Sequence, residues 1–171
     1  PQGVLCLRAG CLLAVAAMQQ KSPAALLLWE PVLDGQAYIR EELRKKLMKE
    51  MVTFGGSRET RAALLERLKN GGTVDFDGYA LTATLYHDLC QLNLIGLLPA
   101  QQCRGMLVHV TPRDRMAPAM AKMRDALAAE AGDWETTMVR QHPFWNLVGL
   151  LDCTDLITRS VDWLAKALDD A

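Results

Sequence analysis

The sequence predicts an α/β fold, a mostly parallel sheet of about four strands flanked by helices, with a helical lid inserted between the second and third strands. Three observations lead there. Apolar runs at 4–8, 24–31 and 105–111 and an alternating run at 134–140 have the length and residue types of strands. Helix-period segments separate them, an alternation that favours parallel strands joined by right-handed crossovers. Finally, 34–102 carries its own helical periodicity between two strands that would otherwise be neighbours. This divides the chain into a core, 1–33 with 103–171, and a cap, 34–102.

Taking the elements in order, Val4 to Arg8 is a short apolar strand that meets the small residues Ala9 and Gly10 and continues as an Ala/Leu helix. A strand turning this sharply into a helix puts Arg8 at the carboxyl end of the sheet, beside the first free amides of a helix, where ligands of open α/β sheets gather. Ala24 to Pro31 is a second strand, apolar on both faces and ended by proline. In the cap, Ile39, Leu43, Leu47 and Met51 recur every four residues and predict the buried stripe of an amphipathic helix over 38–51. Ser57 is expected to cap a second helix running to Lys69, which Asn70-Gly71-Gly72 ends. Asp77-Gly78 marks a small hairpin within 73–81, and Thr82 is placed to cap a helix reaching Leu92.

Gly105 to Thr111 returns to a strand, followed by a helix to about Ala131 with Met120, Met123 and Leu127 on its buried stripe. Trp134 to Arg140 is the last strand. Gln141 to Trp145 forms a loop, and Thr154 is expected to cap a terminal helix whose apolar side carries Leu156, Ile157, Val161, Leu164 and Leu168.

Composition narrows the function. A formal net charge of −1 over 171 residues provides no global attraction to nucleic acid. There is no run of about 18 uncharged apolar residues, so no membrane span is expected. The cysteines Cys6, Cys11, Cys90, Cys103 and Cys153 are odd in number and scattered without a CxxC pair, which reads as buried thiols of a reducing, cytoplasmic protein with neither a zinc site nor another cofactor. The chain opens Pro1-Gln2-Gly3, without Met, and enters a strand at once. It therefore reads as a fragment, and its first strand is expected to need cover from a second copy, another chain or a rearranged segment.

Three corners resemble the α/β-hydrolase fold in the chain order nucleophile, acid, histidine. Cys6-Leu7-Arg8-Ala9-Gly10 is similar to a GxSxG elbow that keeps only the last glycine. Thr111 to Pro118 is similar to the turn that carries the acid, at Asp114, and His142 follows the last strand, where the base belongs. More narrowly, LRAG, LLLWEPVLDG and HPFW resemble the carboxyl-terminal half of hydrolases associated with the bacterial exosortase A system (type 2), which serves exopolysaccharide production. The resemblance implies a lidded pocket for a small acyl, ester or anionic ligand, with Asp114 and His142 catalytic and Arg8, Ala9, Trp29, Glu30, Phe144 and Trp145 binding. It also implies a homo-oligomer, or association with the missing half.

Arg8 stands where that pattern has serine, and a guanidinium cannot attack a carbonyl. Two classes of function therefore remain open: an ester or acyl hydrolase, and a non-catalytic module that binds an anion or a protein. Arg8 is either an anion clamp or the partner of Asp114 or Glu30 in an internal ion pair. Asp114 is either an acid or a helix-capping turn residue, and His142 either a base or a loop residue held by hydrogen bonds. Cys6, deeper on the strand, and Cys11, beginning a helix where amides lower a thiol's pKa, are either packing residues, the favoured reading, or a replacement nucleophile. His109 reads as a core residue of its strand and His87 as a surface residue of the cap.

Overall fold

The computed structural model describes residues 1–18, 21–56, 59–76, 78–98, 103–130, 133–145, 147 and 149–170, which form two compact units: 1–33 with 94–171, and 34–93. The first unit is the predicted α/β core. Strands β1 (Gly3–Leu7), β2 (Ala25–Trp29), β5 (Arg104–Thr111) and β6 (Trp134–Arg140) form one sheet in the order β1-β2-β5-β6, every pair parallel. Helices α1 (Ala9–Ala17), α5 (Leu94–Leu97), α6 (Pro118–Glu130) and α7 (Thr154–Asp169) complete the unit.

Both faces of β2 are covered, which is why its sequence, Ala-Leu-Leu-Leu-Trp, shows no alternation: Ala25 to Leu28 are fully buried. One sheet face contributes Ala25, Leu27, Met106, Val108 and Val110 to a core that α7 closes with Leu156, Trp163 and Ala167. Ser160 shares that buried stripe, whereas Ile157 and Val161, expected on it, are exposed. Each follows a buried residue by one position, a rotation of about 100° that carries it off the stripe. Small Ser160 and Ala167 bring the helix close to the sheet, and the Trp163 ring fills the remaining space. Thr154 is the first residue of α7 rather than its cap; its N–H donates to Asp152 Oδ1 at 2.9 Å. Among the described residues β1 pairs on one side only, with β2, and Leu5 is exposed on it.

The second unit holds α2 (Gly35–Phe54), α3 (Arg61–Lys69), the antiparallel pair β3 (Thr73–Phe76) and β4 (Tyr79–Thr82), and α4 (Ala83–Gln91). Its core is Ile39, Leu43, Leu64, Leu68, Val74, Leu81, Tyr86 and Leu89. Met51 is 58% exposed instead of buried. Residues four apart drift by about 40° per step around a helix of 3.6 residues per turn, so a stripe begun at Ile39 has rotated to solvent three steps later. Thr82 Oγ1 accepts the Leu85 N–H as the capping logic requires. The cap of α3, however, is Thr60, whose hydroxyl accepts the Ala63 N–H at 3.2 Å; Ser57 lies outside the described residues, as does Asp77 of the hairpin. The unit ends at Asn93, earlier than the expected 102, because α5 packs on α1 in the first unit.

Candidate functional site

The carboxyl ends of β1, β2 and β5 carry a connected set of polar and aromatic groups. At the first of them Arg8 joins β1 to α1 with φ 53° and ψ −127°, a conformation that costs a residue with a Cβ about 1–3 kcal/mol. Three backbone hydrogen bonds hold it: the Arg8 N–H donates to Trp29 O (3.0 Å), and Arg8 O accepts from Cys11 N–H (3.1 Å) and Val32 N–H (3.2 Å). The half-buried guanidinium lies 4.9 Å from the centre of the Trp145 ring, a cation–π distance, and Nη1 donates to the backbone carbonyl of Glu30 at 3.5 Å. Neither expected ion pair is made. Asp114 is held elsewhere and the Glu30 carboxylate has other partners, so among the described residues no acid neutralises Arg8. Phe144 packs edge-on against both Trp145 and Trp29, and Trp29 Nε1 donates to Ser160 Oγ at 2.9 Å. Arg8, Trp29, Phe144 and Trp145 are thus brought together at this end of the sheet, with Ala9 half-buried at the start of α1.

Glu30 is the second strained corner, with φ 42°. Its Oε2 accepts from His109 Nδ1 at 2.6 Å and from the Val110 N–H at 2.9 Å. His109 Nε2 in turn accepts the Ala117 N–H at 3.2 Å, which assigns the ring proton to Nδ1 and directs it at the carboxylate. His109 is buried, as its strand position requires, but its role is wider than filling the core: it links Glu30 to the start of the loop-to-α6 segment. Glu30, His109, Thr111, Arg113, Arg115 and Met116 are among the residues lining a cavity of about 450 Å³ at the ends of β2 and β5. The pair follows from the strand register. Trp29 and Val108 are register partners, so Glu30 and His109, each one residue further on, had to be neighbours.

Asp114 and His142 make no hydrogen bond or ion pair with Arg8, Glu30 or His109 among the described residues. Asp114 Oδ1 and Arg140 Nη1 form a 3.1 Å ion pair in which both side chains are more than 70% exposed, a geometry that contributes little stability. His142 is exposed in the loop after β6. Among the described residues no contact joins Asp114, His142 and Arg8 to one another. His87 is exposed on α4, in edge contact with Tyr86.

Cys11 is a buried packing residue and not a replacement nucleophile. Hydrogen bonding with Cys6, then burial, push its thiol far above the ordinary range, against the lowering effect of a helix N-terminus. Burial also pushes Cys103 up to about 11. A thiol that stays protonated in the folded chain but ionises near 9 when unfolded favours folding below that pH and ceases to do so above it. The urea midpoint is therefore expected to fall as pH rises from about 9 towards 11. Cys11→Ala with Cys103→Ala should flatten that fall, and an unchanged slope in the double variant would assign it to other groups.

No family model and no curated protein matches this chain. Among solved structures it is similar to Rv0554 from Mycobacterium tuberculosis, with a TM-score of 0.51 and 9% identity over 100% of this chain and 66% of that one. It is also similar to proline iminopeptidase from Mycobacterium smegmatis, with a TM-score of 0.42 and 13% identity over 97% and 63%. The chain thus spans less than two thirds of the length of either. The first likeness shows a shared mixed α/β fold built on a parallel sheet.

Proposed function

We propose that this chain is an α/β-hydrolase-like protein whose elbow binds the anionic group of a small ligand, a carboxylate or phosphate, instead of attacking an acyl carbon. One observation carries the reading: Arg8 occupies the strained turn between β1 and α1 as a half-buried cation against Trp145, with no acid to neutralise it among the described residues. An arginine kept in a costly backbone conformation, beside a helix N-terminus and an aromatic wall, suits the planar recognition of an oxyanion. The lid role of 34–102 and a link to exosortase systems belong to the same proposal, supported by sequence resemblance, as do a cytoplasmic address, supported by the scattered cysteines, and cover for the free side of β1, supported by its exposed apolar edge.

The hydrolytic alternative would need Asp114 and His142 to act together at this corner. Their exposed positions favour binding over catalysis. Titration with succinate and with inorganic phosphate is expected to raise the unfolding temperature, with Arg8→Ala losing at least tenfold in affinity and Arg8→Lys losing less. An Arg8→Ala chain that binds both anions as the parent does would overturn the binding reading. Turnover of short p-nitrophenyl esters that disappears in His142→Ala would replace it with the hydrolase.

A further inference from the structure

We propose that the cavity at the ends of β2 and β5, which Arg8 adjoins at the Glu30 carbonyl but does not line, is a second binding site for a small zwitterion of dipeptide size. Its volume of about 450 Å³ lies within the range of small-molecule sites. Three features of its wall set the ligand chemistry. First, both hydrogen bonds to the Glu30 carboxylate, from His109 Nδ1 and the Val110 N–H, fall on Oε2. The other oxygen, Oε1, has no hydrogen-bond donor among the described residues, Glu30 lines the cavity, and a carboxylate oxygen accepts most strongly from an ammonium. Second, that carboxylate is held rigidly. His109 is itself anchored by the Ala117 N–H, and the chain tolerates a positive φ at Glu30 to keep the side chain there, strain of the kind that accumulates at ligand sites. Third, Arg113 and Arg115 also line the cavity, and among the described residues neither guanidinium has an acid partner, since Asp114 between them turns to Arg140. They are suited to the carboxylate end of a ligand whose ammonium meets Glu30. Met116 and Pro143 add apolar surface to the cavity wall.

The test is calorimetric titration with the dipeptide Ala-Leu, its N-acetyl form and its C-terminal amide. Ala-Leu is expected to bind, and each blocked form to bind at least tenfold more weakly. Glu30→Gln, which retains an acceptor for His109 and Val110, should lose the discrimination against the N-acetyl form. Arg113→Ala with Arg115→Ala, both at exposed positions, should lose the discrimination against the amide. Arg8→Ala should leave the discrimination against the N-acetyl form intact, because a guanidinium has no means of recognising an ammonium, and this keeps the site distinguishable from the elbow. No binding of Ala-Leu, equal binding of the blocked forms, indifference to the Glu30 and Arg113/Arg115 variants, or loss of the discrimination against the N-acetyl form in Arg8→Ala would each overturn the proposal.

Discussion

Gly35→Ala is expected to destabilise the 34–93 unit by about 3 kcal/mol or more, the upper end of the cost of overpacking. Gly35 is buried as the first residue of α2, and a Cβ built on it would fall on the backbone carbonyl of Leu89 at the end of α4. Neither partner can yield by a rotamer change, because a Cβ has none and the obstacle is main chain. The Leu89 carbonyl is also fixed by the Leu92 N–H, and the Gly35 N–H donates to Leu92 O at 3.1 Å. Asp34 bridges to Asn93 and caps α2 by accepting the Ala37 N–H at 2.7 Å. Relief would require the start of α2 and the end of α4 to part, breaking those bonds together. Urea unfolding followed by circular dichroism measures the loss, and limited proteolysis should place it within 34–93. Gly10→Ala provides the control. It lies exposed in α1 with open space around its would-be Cβ, and should gain up to about 1 kcal/mol from helix propensity. Equal midpoints for Gly35→Ala and the parent chain would show that the two helix ends are not in the close approach described.

The contrast between Gly35 and Gly10 shows where local pattern stops being informative. Periodicity and end signals identified every strand of the main sheet, because an apolar run bounded by turn residues is a local property, and β6 spans the same residues in sequence and structure. The stripes of α2 and α7 were legible only in part. Apolar spacing restricts a helix to a sector, but which sector faces the core depends on the neighbour, so Met51, Ile157 and Val161 emerged in solvent while Ser160 went inside. Caps were legible where a threonine directly precedes its helix, as Thr82 does, and shifted where two hydroxyl residues compete, as Ser57 and Thr60 do. The elbow at Arg8 could be read from small residues after an apolar strand. Its partners could not, since the Trp145 contact joins residues 137 positions apart. The attention given to Asp114 and His142 came from their chain order, which constrains sequence position but leaves side-chain direction free. Glu30 and His109 needed one more step, the parallel register of β2 and β5, before a glutamate at a strand end and a histidine inside an apolar strand became a pair.

That pair supports the second large effect: Glu30→Ala should cost about 3 kcal/mol. The His109 side chain is 4% exposed, and removal of the carboxylate strands two donors, its Nδ1–H and the Val110 N–H, where water has little access. A buried donor left without an acceptor costs about 1–3 kcal/mol, and two are stranded here. Glu30→Gln preserves an acceptor and should cost only about 1 kcal/mol. The backbone contributes a separate amount, and a third variant isolates it. Glu30→Gly removes the same carboxylate but relaxes the φ of 42°, so it should be more stable than Glu30→Ala by about 1 kcal/mol. If alanine and glycine are equally destabilising, Glu30 is not strained and its conformation needs no functional explanation. If alanine costs no more than glutamine, the hydrogen bonds to His109 and Val110 are not what holds the ends of β2 and β5 together. In a double-mutant cycle with His109→Leu, the expected coupling is about 1–3 kcal/mol, because each substitution removes the partner that makes the other residue costly to bury.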